Sequence, residues 1–245
     1  MRVLLTRLAL IASFVLAVAG PAAADVTVVN HWTLVNGDTL TRANYFSQKR
    51  VRVTGPDGRE FMFDAKTDTI TVIDHGTRRY WTGPRAEADS VASAIMAANR
   101  EGVPAMATED PVAWGERIQA FNDSIKIEPT MKGRKIAGYP CNQWLLSAGS
   151  YLQNEEWIAR SLTFPNYGPE LQKAVMASIK DPLGRQLMRL IIDAKAKEGT
   201  ALAAHTTFRT LTREGSFGYE AVRVKSGKIP ASAWAIPAGY ERFVR

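Results

Sequence analysis

Side chains able to do chemistry are spread thinly along this chain. His31, His75 and His205 are its only histidines, and none has a second histidine one helical turn away or a carboxylate at ligand spacing. No metal centre is predicted, because a ligand set needs several such residues converging. No G-x-S-x-G elbow, no phosphate-binding glycine loop and no S-x-x-K with its companion motifs occurs, so nucleotide binding and the common serine hydrolases lose support. Asp64 and Asp74 close neighbouring predicted strands and would be the carboxylate pair for acid and base work if they met. Both stand beside turns, where Asp is expected because its side chain accepts bonds from nearby backbone N–H groups. No catalytic residue and no cofactor is therefore predicted.

What remains is apolar chemistry. Phe61 and Phe63 share one side of a predicted strand and Ile70 and Val72 one side of the next, since alternate residues of a strand point the same way. With Trp81, Trp144 and Trp157 they are the candidate ligand-binding residues, three of the six tryptophans Trp32, Trp81, Trp114, Trp144, Trp157 and Trp234. Ligand sites are mostly apolar with a few polar groups. Arg50, Arg52, Arg78, Arg79 and Arg85 fall close together and form a candidate basic rim for an anionic head group. Cys141 is the only cysteine, so no internal disulfide can form, and a buried thiol is predicted.

The elements that position these residues begin with a meander. Strands are predicted over 26–35 and 39–46 around Asn36-Gly37-Asp38, a hairpin signal, then over 49–54, around Phe61 and Phe63, around Ile70 and Val72, and over 78–82. Val91, Ala94, Ile95 and Ala98 then recur at helical spacing, and Asp110-Pro111 opens a second helix to about Phe121. Strands are predicted again over 124–128, 135–139, 141–147 and 156–164. Leu171, Ala174, Val175 and Ile179 mark a third helix. Leu183, Leu187, Leu190, Ile191 and Ala194 mark a fourth, with Gly199 after it. Strands over 206–212 and 219–225 precede a tail over 229–245. The predicted fold is α+β: a curved antiparallel sheet of about ten strands, an open half-barrel, with helices covering its concave face.

The first 24 residues read as a secretory signal peptide. Arg2 and Arg7 lead an apolar run from Leu8 to Ala19, and Ala22 and Ala24 occupy small-residue cleavage positions before Asp25. A transmembrane helix needs roughly 20 apolar residues, so this run is too short to span once its flanks are excluded. Residues 25–245 are predicted to form one periplasmic domain with no transmembrane segment. The formal net charge of +7 falls to +5 without Arg2 and Arg7, the only charged residues of the leader. For an exported chain that balance favours membrane surfaces or acidic partners over nucleic acid.

Two stretches have a specific look: Gly133-Arg134-Lys135-Ile136-Ala137-Gly138-Tyr139-Pro140-Cys141, and Ile229-Pro230-Ala231-Ser232-Ala233-Trp234-Ala235-Ile236-Pro237-Ala238-Gly239-Tyr240. They resemble segments of a family of uncharacterised exported bacterial proteins. The first half, where Tyr45-Phe46 leads to Lys49-Arg50-Val51-Arg52 and successive hairpins, is similar to the periplasmic lipoprotein-carrier and outer-membrane lipoprotein-receptor superfamily. That resemblance implies a half-barrel that binds acyl chains. The predicted function is binding of an apolar or amphipathic envelope molecule, a lipid or acyl chain, in a carrier, chaperone or sensor role. The alternative is a structural or interaction domain with a self-filled core that contacts another envelope protein. The chain departs from the carrier in the long insert between Asn166 and Gly199.

Overall fold

The computed structural model describes residues 24–55, 57–87, 123–149, 152–162, 164, 199–209 and 214–243. These form one twelve-stranded sheet: β1 (Val26–Thr33), β2 (Thr39–Phe46), β3 (Arg50–Thr54), β4 (Glu60–Asp64), β5 (Thr69–Asp74), β6 (Arg79–Pro84), β7 (Ile125–Ile136), β8 (Tyr139–Ala148), β9 (Leu152–Ala159), β10 (Thr200–Arg209), β11 (Glu214–Ser226) and β12 (Glu241–Arg242). The spatial order is β12-β6-β5-β4-β3-β2-β1-β11-β10-β9-β8-β7. Two hairpin series thus meet where the late strand β11 returns beside β1. Every pairing is antiparallel except β12 with β6.

This corrects the expected architecture. The described residues form mostly sheet, with 3-10 turns at Arg85–Glu87 and Ala231–Trp234 and a single α-helical residue at Asp123, so an α+β fold with helices over the concave face is not what they form. The four predicted helical stripes and Trp114 lie outside the described residues, as do residues 1–23. Among the described residues, no helix is long and apolar enough to cross a membrane.

Local sequence explains the hairpins. Leu34 N–H donates to Asp38 O at 2.8 Å across the β1–β2 turn, where Gly37 takes φ 88°. Ile136 pairs with Tyr139 around Ala137 and Gly138, both at positive φ (47° and 91°), so the Ile-Ala-Gly-Tyr motif is a two-residue hairpin of the primed kind. Gly133 and Asn154 fall in the gaps between the predicted strands 124–128 and 135–139 and between 141–147 and 156–164, yet both lie inside strands. Gly133 sits in β7 just past a bulge, where Thr130, Met131 and Lys132 face the single residue Gln143. Gly199, read as a helix stop, stands before β10 at φ 118°, and a Cβ there would collide with Ala159 O.

Bulges at Leu202 in β10 and Val222 in β11 add to that of β7, and bulges increase local twist. The coiling is large. Arg134 Nη1 lies 3.0 Å from Glu220 Oε2, although β7 and β11 are four strand spacings apart, about 19 Å in a flat sheet. One core cluster gathers at this end, around Val26, Val28, Ile136, Cys141, Leu202 and Ala221.

Candidate functional site

One face of the sheet runs continuously through both hairpin series. In the first series, Val26 pairs with Phe46, Phe46 with Val51, Val51 with Phe63, Phe63 with Ile70 and Ile70 with Gly83. The next row is Val53, Phe61, Val72 and Trp81. Five of the seven predicted site residues, Phe61, Phe63, Ile70, Val72 and Trp81, therefore adjoin one another. Phe63, Val72 and Trp81 are buried, whereas Phe61 and Ile70 are half-buried. The Trp81 indole lies across Gly83, where any Cβ would strike the ring. That glycine lets the ring lie flat on the strand.

Alternation along β1 carries the same face from Val26 and Val28 to Asn30 and Trp32, all buried. From Trp32 a row runs to Tyr219, Ala204, Glu156 and Trp144, so Trp144 shares the face. Trp157 does not. It follows Glu156 directly and so points to the opposite side, where its Nε1 donates to Glu155 Oε1 at 2.7 Å and the Arg134 guanidinium covers its ring at 4.4 Å. Its half-buried ring packs against the core cluster that contains Ile136 and Cys141.

Sequence reasoning missed a polar stripe on this face. Thr206 Oγ1 donates to Asn154 Oδ1 at 3.0 Å, and Asn154 Nδ2 donates to Glu156 Oε1 at 2.8 Å, all three residues being buried. Tyr219 stacks at a tilt on Trp32, ring centroids 4.9 Å apart. Burial, and then the Glu156 carboxylate, push its phenol well above the ordinary range. The available signal was the alternation of Leu152, Asn154, Glu156 and Ile158, which places two polar residues in an apolar stripe; the strand predicted over 156–164 starts too late to include it.

The opposite face of the first series is polar and covered by the C-terminal segment. Arg52, between Val51 and Val53, donates through Nε and Nη2 to the one carboxylate oxygen Glu60 Oε2, and through Nη1 to Ala233 O (2.8 Å) and Ala235 O (2.9 Å). N-terminal to Tyr45, β2 splays from β3, with Asn44 Oδ1 accepting the Thr54 N–H at 3.0 Å. Beyond the splay Arg42 Nη1 reaches Glu60 Oε1 at 2.8 Å and His75 Nε2 at 2.6 Å, and His75 Nδ1 lies 2.8 Å from the Tyr240 hydroxyl. Since Arg42 can only donate, Nε2 accepts and Nδ1 carries the proton. Burial alone would raise the Glu60 carboxyl, but Arg52 and then Arg42 reverse it and hold it below its usual value. Burial, with Arg42 beside it, lowers His75.

This network corrects the expected basic rim. Arg52 is bound to Glu60, Arg50 to Asp64 at 2.7 Å and Arg85 to Asp68 at 3.1 Å, so these three are not free for an anionic head group. The carboxylate pair also dissolves. Asp64 and Asp74 stand at opposite ends of the β4–β5 hairpin and accept turn N–H groups, Asp64 from Lys66 (2.9 Å) and Asp74 from Gly76 (2.9 Å) and Thr77 (3.1 Å). Among the described residues, no three His, Cys, Asp or Glu side chains gather as a metal site would need.

The fold and site define a wide, single-sheet protein with one apolar face and one strapped polar face. No family model matches the chain, and no curated protein matches it. Among solved structures it is similar to MucB (13% identity, TM-score 0.40, covering 97% of this chain and 62% of that one), a protein also solved in complex with MucA from Pseudomonas aeruginosa. It is similar to a LolA superfamily protein from Nitrosomonas europaea (8% identity, TM-score 0.24, covering 96% of each chain). PNGF-II is a third (12% identity, TM-score 0.38, covering 90% of this chain), and the chain spans about a third of its length. At such identities and TM-scores these likenesses assign no activity.

Proposed function

We propose that the chain is an exported periplasmic protein that binds an apolar or amphipathic envelope molecule, such as a lipid or acyl chain, on the face running from Trp81 to Trp144, and that it performs no catalysis. The observation that supports this reading is the continuity of that face, in which Phe61 and Ile70 stay half-buried beside fully buried Phe63 and Val72. Each CH₂ of a chain laid there would contribute about 0.8 kcal/mol before ordering costs. With Arg50, Arg52 and Arg85 paired to carboxylates, a neutral head group suits the face better than an anion.

A second reading, an interaction domain with a self-filled core, is favoured by the near-complete burial of Val51, Phe63, Val72 and Trp81. Native mass spectrometry of protein purified from the envelope, with lipid analysis of the same sample, separates the two. A bound lipid, and loss of uptake of a neutral environment-sensitive dye in Phe61→Asp at unchanged circular dichroism, are expected for the binding protein. Lipid-free protein that never takes up the dye sinks that reading and leaves the interaction domain.

A further inference from the structure

We propose that the bulge of edge strand β7 is a docking prong for the surface of an anionic phospholipid bilayer, with Met131 as the inserting side chain and Lys132 and Lys135 as the lipid-facing cations. Met131 is fully exposed, an unusual position for a large apolar residue on a strand. Its presentation is built rather than incidental. Thr130 Oγ1 donates to Gln143 Oε1 at 2.8 Å, and the Lys132 N–H donates back to Thr130 Oγ1 at 3.1 Å, so the residues on either side of Met131 are tied to β8 and to each other. Gln143 is itself buried, which anchors the base of the prong.

Charge supplies the choice of partner. Between Lys126 and Lys135 stand four cations, Lys126, Lys132, Arg134 and Lys135, against the single carboxylate of Glu128. Arg134 is engaged by Glu220 and Trp157, leaving three lysines exposed along the edge. Leu145, paired across the ladder with Glu128, adds a second exposed apolar side chain. An apolar tip with three exposed lysines along the same strand matches the interface of an anionic membrane, where acyl carbons lie beneath negative head groups.

Edge lysines, a bulge and Pro129, which has no N–H to offer, also blunt strand-to-strand association. That role explains the lysines but not a pinned, fully exposed methionine, which a polar residue would replace at no loss. The prong stands on residues outside the face assigned to ligand binding, so its test is independent of that reading.

The test is flotation of the exported protein with vesicles of phosphatidylcholine alone, or of phosphatidylcholine mixed with phosphatidylglycerol. Binding is expected only to the anionic vesicles and to fade at about 0.5 M salt, where screening is nearly complete. Replacing both Lys132 and Lys135 by Gln should lower the partition coefficient about thirtyfold, and Met131→Ser about tenfold, at unchanged circular dichroism. No binding to anionic vesicles, or wild-type binding by a variant that combines Met131→Ser with Lys132→Gln and Lys135→Gln, overturns the proposal. Self-association of the wild type that Met131→Ser abolishes would overturn it too, by assigning the prong to a second copy of the chain.

Discussion

The two faces of the β3–β6 hairpins are ordered by different physics. The inner face packs by exclusion of water: Val51, Val53 and Phe63 form one cluster, Val72 and Trp81 another, with Phe61 and Ile70 against both. The outer face buries charge, with Arg52 and Glu60 each less than a tenth exposed. A buried ion pair is tolerable only when its remaining hydrogen-bonding capacity is met. Here the C-terminal segment meets it, with two backbone carbonyls on Arg52 and the Tyr240 hydroxyl on His75. Apolar packing is satisfied by near neighbours, whereas the charged face depends on residues about 180 positions away.

Breaking the outer face should have the largest effect. Arg52→Ala leaves Glu60 buried without its principal counter-ion and frees two strap carbonyls, and about 3–5 kcal/mol should be lost in urea unfolding. If Arg52→Met costs as little as a surface change, the network does not hold the strap. On the inner face, Phe63→Ala should cost about 3–4 kcal/mol as a cavity in packed core. Phe61→Ala, at a half-buried position, should cost about half as much while weakening binding of an apolar dye more. Equal costs at the two positions would erase the division of the face into core and binding surface.

Acid should act on one face only. The His75 pKa is lowered by burial and by Arg42, so the folded protein resists protonation that the unfolded chain accepts near its ordinary value of 6.5. The corresponding stability is fully present above that value and is lost as the pH falls from about 6.5 toward the lower folded value. The amides of Glu241 and Phe243, which donate to Arg78 O (3.0 Å) and Tyr80 O (2.6 Å), should then exchange with solvent hydrogen before those of β4 and β5. Uniform acceleration of all of them would separate the strap from His75. The smallest effect concerns Cys141, buried with its thiol pKa raised by burial. A thiol reagent should label it slowly until denaturant is added, and fast labelling would show that the β7–β8 hairpin opens in the native state.

Much of the first series was legible locally. Asn36-Gly37-Asp38, the turn Asp at 64 and 74, and the alternation of Phe61 with Phe63 and of Ile70 with Val72 marked strands and turns to within a residue or two of where they fall. The second series was less legible. Its strands are long and bulged, so the period of two slips at Thr130–Lys132, Leu202 and Val222, and a strand that changes phase reads as two short ones. The stripe of Asn154, Glu156 and Thr206 was missed for another reason: β9 keeps its period of two, but the strand predicted over 156–164 begins after Asn154.

From local sequence alone follow the turns, the strand phases of β1 to β6 and the sharing of one side by Phe61 and Phe63, because backbone sterics and period-two alternation act within a few residues. Tertiary structure alone decides that β11 returns beside β1, that Arg50, Arg52 and Arg85 face carboxylates rather than ligand, and that Trp144 joins the apolar face while Trp157 leaves it. The physical reason is that pairing register between distant strands, and the partner of a buried charge, are set by free energies summed over the whole sheet, which no window of a few residues contains.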